Sequence, residues 1–381
     1  MSDRARAALA ALAAWMIGAG AATAGPSVAI LDLPFAATAL RGPGSETALS
    51  IATSGLVPGT RRKPASADPK IGPEAEGPEP LAVVWGEGGG AVLTLREGQV
   101  RVSPIDAEAV EGLTVAETPR NAVPGARRVL DGPLTAYLTG PTRALGGGPG
   151  QAAGLTIRER QPIGMTRDPK PVPTATETVA PGAEAVFAAR TPLVARLAGK
   201  PVLLAVAVLG GGASAALLIG KDGPGHWAVL ARTPPQAGAG PEGAPLAFAA
   251  AGDFTGKGRT QLAAVRAPDG AGMLQLWEVA PEGFRLLHEA PGYTAARGEA
   301  PLAAAVETGS VPLLALPSAD RSALALVSLK DGVSERARIP LPAPAATGLA
   351  SLGRGDAARL LVGLADGRVA VVDPGLAGAA R

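Results

Sequence analysis

The chain has 381 residues, 47% of them hydrophobic, enough for one large domain or two medium ones. Its 35 basic and 33 acidic residues leave a net charge of +2, with no basic stripe interleaved with aromatics, which argues against nucleic-acid binding. No cysteine is present, so disulfides, thiolate metal sites and cysteine nucleophiles are excluded.

At the N-terminus, Arg4 and Arg6 precede an apolar run from Ala7 to Ala22, and Ala22-Thr23-Ala24 forms an A-x-A cleavage pattern. This predicts a secretory signal peptide over residues 1–24. The run is short and rich in Ala and Gly for a membrane span of roughly 20 residues, so cleavage is expected rather than anchoring. No later segment offers 18 apolar residues free of Gly, Pro or charge, so no membrane span is expected in the mature chain. A periplasmic or secreted monomer is the expectation.

Downstream, apolar runs restart at a period of about fifty residues, a repeat signature. Units begin near Val28, Leu81, Leu134, Leu193, Leu246, Leu302 and Leu349. The first opens VAILDL. The second gives LAVVW, AVLTLRE and QVRVSPI; the third gives LTAYL and LTIRER. Two proline-rich stretches, 59–80 and 161–182, read as surface excursions. The unit from Pro192 carries VLLAVAVLG, SAALLIG, a turn at Lys221-Asp222-Gly223, and HWAVLAR. The unit from Pro245 carries LAFAAAGDF and LAAVRA, a turn at Pro268-Asp269-Gly270, then the alternating strand MLQLWEV and FRLLHEA. The last two repeat the plan and end in GLASLG, RLLVGLA, the turn Ala365-Asp366-Gly367, and RVAVVDP.

Alanine is a poor strand former, but these runs span five to nine residues between recurrent Gly and Pro, too short for ordinary helices. Four strands per unit is the content of a propeller blade. The predicted fold is all-β: a single β-propeller domain over residues 25–381, most simply with seven four-stranded blades. An antiparallel sandwich pair, or a six-bladed ring whose N-terminal strand closes the last blade, stand as alternatives. Closure predicts that VAILDL pairs in or next to the blade containing RVAVVDP.

Between the first two runs of the Pro245 unit lies Gly252–Leu262, GDFTGKGRTQL. It resembles the loop of FG-GAP or VCBS-type repeats, which reads G-D-x-D-G-D-G-x-x-D-L. Gly252, Asp253, Gly256, Gly258 and Leu262 match. The resemblance implies a β-propeller, seven-bladed in the best-known members, and a loop that binds calcium. Thr255, Lys257 and Gln261 stand where that family has carboxylates. Asp253 and Thr255 are the residual candidate ligands, too few for a cation that takes six to eight oxygens, so no metal or other cofactor is expected. The structural role expected of the loop is a tight connection, with Gly256 and Gly258 at positive φ and Asp253 accepting backbone N–H groups.

Other chemistry is sparse. His226 and His288 lie beside strand patterns without a carboxylate cluster, and Trp85, Trp227 and Trp277 read as blade packing. No G-x-S-x-G or P-loop occurs; Gly86–Gly90 and Gly146–Gly148 read as hairpin turns. The expected function is an exported, non-catalytic scaffold that binds a protein or glycan partner in the cell envelope. The alternative is a propeller hydrolase or lyase acting through channel-facing carboxylates. An enzyme requires ionisable side chains converging in one pocket, which a channel lined by Ala, Gly, Val and Leu alone lacks.

Overall fold

The computed structural model of the protein describes residues 25–54, 80–145, 150–161, 172–237 and 245–376. The expected signal peptide, the proline-rich stretch up to residue 79 and the Gly146–Gly148 turn lie outside the described residues.

Strand β1 (Ser27–Ile30) comes first in the chain but last in the ring. The first sheet then holds β2 (Ala37–Arg41), β3 (Leu81–Gly86), β4 (Gly89–Arg96) and β5 (Gln99–Ile105). Next come β6 (Val129–Asp131), β7 (Leu134–Pro141), β8 (Ala152–Arg160) and β9 (Thr174–Val179). A short β10 (Ala185–Phe187) pairs with both β8 and β12, fusing the second sheet to the third. The third holds β11 (Leu193–Leu197), β12 (Lys200–Leu209), β13 (Ser214–Lys221) and β14 (Trp227–Arg232). The fourth is β15 (Ala247–Gly252), β16 (Gln261–Arg266), β17 (Met273–Ala280) and β18 (Gly283–Pro291). A small hairpin, β19 (Ala296–Arg297) and β20 (Ala300–Pro301), leads to the fifth: β21 (Ala304–Val306), β22 (Leu313–Pro317), β23 (Ala323–Ser328) and β24 (Ser334–Pro340). The sixth is β25 (Ala345–Leu352), β26 (Arg359–Leu364) and β27 (Val369–Asp373), completed by β1.

The chain is therefore a β-propeller; among the described residues four sheets are four-stranded, and a nine-stranded sheet divides at β10 into two four-stranded halves, so the strands group in six sets where seven units were expected. The difference has a specific origin. Val28 does not open a blade; it lies opposite Val372 as part of the outermost strand of the last sheet. Leu81 and Leu134 begin second strands, because the short first strands β2 and β6 precede them. Closure of VAILDL against RVAVVDP is as expected: Ser27 pairs with Asp373 and Ile30 with Ala370. In the stretch 161–182, residues 162–171 lie outside the described residues, and the remainder is more than a surface excursion. Its TATETV segment is β9, paired with β8 from Leu155↔Val179 to Arg160↔Thr174, because its threonines and valine suit a pleated, half-exposed strand.

Alternation along the strands sets the packing between sheets. In the first sheet, Ala82, Val84, Ala91 and Leu93 face the sixth sheet at Ala350, Leu352 and Leu361. The opposite face, with Leu81, Val83, Trp85 and Val92, packs against two helices. These are α1 (Glu46–Ser54) and α2 (Ala107–Glu117), which the strand-only reading did not anticipate. Asp106 caps α2 by accepting the Ala109 N–H at 2.7 Å, and Ser45 Oγ accepts the Ala48 N–H at the start of α1. One face of the second sheet carries a hydrogen-bonded line of Thr139, Thr156 and Thr178. The junctions from the second sheet round to the sixth are apolar, filled by Leu, Val and Ala.

Candidate binding site at the central cavity

The first strand of every sheet borders one cavity of about 480 Å³. Leu40 of β2, Val129 of β6, Leu193 of β11, Phe248 of β15, Ala305 of β21 and Leu349 of β25 all line it. Where inner strands crowd toward an axis, small side chains fit, and β15 (AFAAAG) and β21 (AAV) are mostly alanine.

The same cavity also collects Arg41, Arg127, Arg128, Arg190, Glu46, Glu117 and Glu299. Ionisable groups thus converge, as an enzyme would require, but two of the carboxylates are already engaged. Glu117 accepts from Arg41 Nε at 3.0 and 3.2 Å and from Thr47 Oγ1 at 2.5 Å, with its side chain 7% exposed. Glu46 is ion-paired with Arg128. A carboxylate whose lone pairs are already taken by a guanidinium has few left for a substrate, a poor arrangement for acid–base work.

Arg127 and Arg190 are different. Arg127 donates to the Glu299 carbonyl at 2.6 Å and to Thr191 Oγ1 at 3.3 Å; Arg190 donates to the Gly298 carbonyl. Two guanidinium groups from different inter-sheet connections therefore meet on one two-residue turn, that of the β19–β20 hairpin. Neither forms an ion pair among the described residues, and Arg190 Nε is buried with no hydrogen-bond partner. Burial pushes the Arg127 pKa down to about 10, helped by Arg41 and opposed by Glu117 and Glu299. Burial also lowers Arg190, opposed by Asp269 and Glu299. Both are thus partly stripped of water, and their direct hydrogen bonds go to backbone carbonyls, and from Arg127 also to Thr191 Oγ1, rather than to a carboxylate.

Backbone geometry makes room for this. Gly125 has φ of +76°, and a Cβ there would stand 2.5 Å from Glu299 Oε2. Gly125, Gly150, Arg127, Arg190, Thr191 and Glu299 share a small recess beside the main cavity. No motif singled out these residues. They sit in connections at irregular spacing.

The residues that sequence did single out lie elsewhere. Asp253 is absent from the cavity lining and binds its own loop. It accepts the N–H groups of Thr255 (3.2 Å), Lys257 (3.2 Å) and Gly258 (2.6 Å), and the Thr255 hydroxyl at 3.3 Å. Burial alone would raise its pKa, but the bonds from Gly258, Lys257, Gly256 and Thr255 outweigh this and lower it. Gly256 and Gly258 both have φ of +69°, as the turn requires. Gln261, fully buried, accepts the Phe254 N–H at 2.7 Å and donates to the Arg259 carbonyl, closing the loop where the resembled family has a carboxylate. Among the described residues no cluster of three or more His, Asp or Glu could hold a metal.

His226 is largely exposed, with Nδ1 3.6 Å from Glu177, and His288 lies in β18 opposite Leu276. Trp227 and Trp277 pack between sheets, and Trp85 lies between β3 and the helices with the Arg41 guanidinium 4.9 Å from its ring centre. Gly86–Gly90 is the β3–β4 turn, pairing Gly86 with Gly89.

No family model matches the chain, and no curated protein matches it. Among solved structures it is similar to the β-propeller domain of Cps50 (Swd1) from Myceliophteria thermophila, at 10% identity and a TM-score of 0.41, covering 77% of this chain and 79% of that one. It is similar to AofleA from Arthrobotrys oligospora, at 12% identity and a TM-score of 0.36, covering 88% and 82%. It is also similar to a streptogramin B lyase, at 8% identity and a TM-score of 0.36, covering 91% and 97%.

Proposed function

We propose that the protein is an exported, non-catalytic propeller that holds a protein or glycan partner of the cell envelope at the rim of its central cavity. The observation that carries this reading is the meeting of Arg127 and Arg190 on the Gly298–Glu299 turn without a carboxylate ion pair. Desolvated guanidinium groups with unused donors favour an incoming carboxylate, sulfate or phosphate on a partner. Export is supported by the basic start, apolar run and Ala22-Thr23-Ala24 of the N-terminus. Among the described residues no helix is long and apolar enough to cross a membrane. Descent from FG-GAP or VCBS-type repeats is supported by Gly252, Asp253, Gly256, Gly258 and Leu262, with the ligand role replaced by loop closure.

The hydrolase or lyase reading draws on Glu299, the one cavity carboxylate without an ion pair among the described residues. It lacks a second free carboxylate beside it. The test is capture of binding partners from an envelope extract by wild type and by the Arg127→Glu/Arg190→Glu double variant, with thermal melts as the control for folding. A partner retained by wild type and lost by a folded double variant is expected. Equal retention by both overturns the reading.

A further inference from the structure

We propose that the cavity binds a monocarboxylate with an apolar body, its carboxylate held by Arg127 and Arg190 in competition with the side chain of Glu299. This deepens the binding-rim reading and rests on it.

Four observations converge. Arg190 spends one donor on the Gly298 carbonyl and leaves its buried Nε without a partner. Arg127 binds the next carbonyl, Glu299, so the two guanidinium groups meet on one turn. The Glu299 carboxylate lies against Gly125, close enough that any side chain there would collide with it, yet makes no hydrogen bond or ion pair among the described residues. A carboxylate of the chain itself therefore already shares the recess with both guanidinium groups, one of which has an unpartnered Nε, and it marks the class of group the recess accepts. Apolar side chains line much of the rest of the cavity, among them Leu40, Leu193, Phe248, Ala305 and Leu349. The volume of about 480 Å³ suits a small ligand.

Charge narrows the class. Four arginines against three glutamates leave one excess positive charge at the cavity, which matches one carboxylate better than a phosphate dianion. The planar fork of arginine also fits a carboxylate in bidentate fashion.

The test is calorimetric titration of the mature chain with octanoate, octanol and inorganic phosphate as separate probes. Octanoate is expected to bind, and the other two at least about tenfold more weakly, since each lacks the charge or the apolar body. Arg190→Gln is expected to weaken octanoate by about tenfold or more. Glu299→Gln is expected to tighten it several-fold with an unchanged melting temperature, which keeps the proposal testable if Arg190→Gln misfolds. Octanoate binding no tighter than octanol, phosphate binding as tight as octanoate, or octanoate affinity unmoved by Glu299→Gln overturns the proposal. Octanoate behaving as expected while the charge-reversed protein still retains its envelope partner removes the binding-rim reading and leaves the carboxylate site standing.

Discussion

Arg41 Nε lies 3.0 Å from Glu117 Oε1, joining the innermost strand of the first sheet to the C-terminal end of α2. The side chains are 16% and 7% exposed, so neither charge is well hydrated. Removing one partner leaves the other buried and uncompensated. Arg41→Met should therefore cost roughly 3–5 kcal/mol in urea denaturation, and the Arg41→Met/Glu117→Leu pair should recover most of that loss. A single substitution with less than about 1 kcal/mol of effect would mean that the pair is effectively solvated.

The loop at Asp253 yields a prediction with a different sign for metal and for mutation. Asp253→Ala strips the acceptor from three backbone N–H groups and should destabilise the protein by about 1–2 kcal/mol. Because those bonds already occupy the carboxylate, millimolar calcium should leave the wild-type melting temperature unchanged. A calcium-induced rise that disappears in Asp253→Ala would restore the metal role that the resemblance implies.

Two groups shape stability at the extremes of pH. Tyr293 donates to Glu335 at 2.6 Å, and burial together with that bond pushes its pKa up to about 12. The folded state thus holds this proton more tightly than the unfolded chain. The stabilisation is complete below about pH 10 and fades between about 10 and 12. Asp320 behaves oppositely. Hydrogen bonds from Ser318 and Ser322 lower it to about 2 from 3.8, so its contribution is present above about pH 4 and fades as pH falls toward 2. Melting temperatures measured across pH should lose the alkaline slope in Tyr293→Phe and part of the acid slope in Asp320→Asn.

What was legible in the sequence was local. The turn at Asp253 could be read because its acceptor and donors lie within five residues of each other. The hairpin signal at Asp366-Gly367 could be read because it punctuates the chain directly, with Gly367 at positive φ. Phase was harder. The short strands β2 and β6 and the threonine-bearing β9 carry weak patterns of their own, and tertiary pairing defines them. The arginine cluster was invisible for the same reason: the Arg127–Glu299 and Arg190–Gly298 bonds span 172 and 108 residues. Only closing the ring brings them together. The helices have caps at Ser45 and Asp106, but a repeat read as four strands per unit assigned no element to either segment.

Closure makes a prediction about truncation. Deleting residues 25–35 removes β1, leaves β27 as an unpaired edge and withdraws Val28, Leu31, Leu33 and Phe35 from packing against two apolar clusters. The cooperative melt should fall by more than about 10 °C or disappear. A truncated protein melting like wild type would mean that the N-terminal strand is dispensable.

The convergence of charges at the cavity depends on that same closed ring, and one measurement reads the closure directly. Leu31 N–H donates to the Val369 carbonyl at 2.9 Å, so the neighbouring Ile30↔Ala370 pair occupies the non-hydrogen-bonded position of the ladder. Its Cα atoms should be about 4.5 Å apart, within disulfide reach. The chain has no cysteine of its own, so Ile30→Cys/Ala370→Cys introduces a single pair. Oxidation followed by non-reducing peptide mapping should give a near-complete cross-link between the N-terminal and C-terminal peptides of the folded monomer. Two free thiols in folded, oxidised protein would contradict the ring and, with it, the site built at its centre.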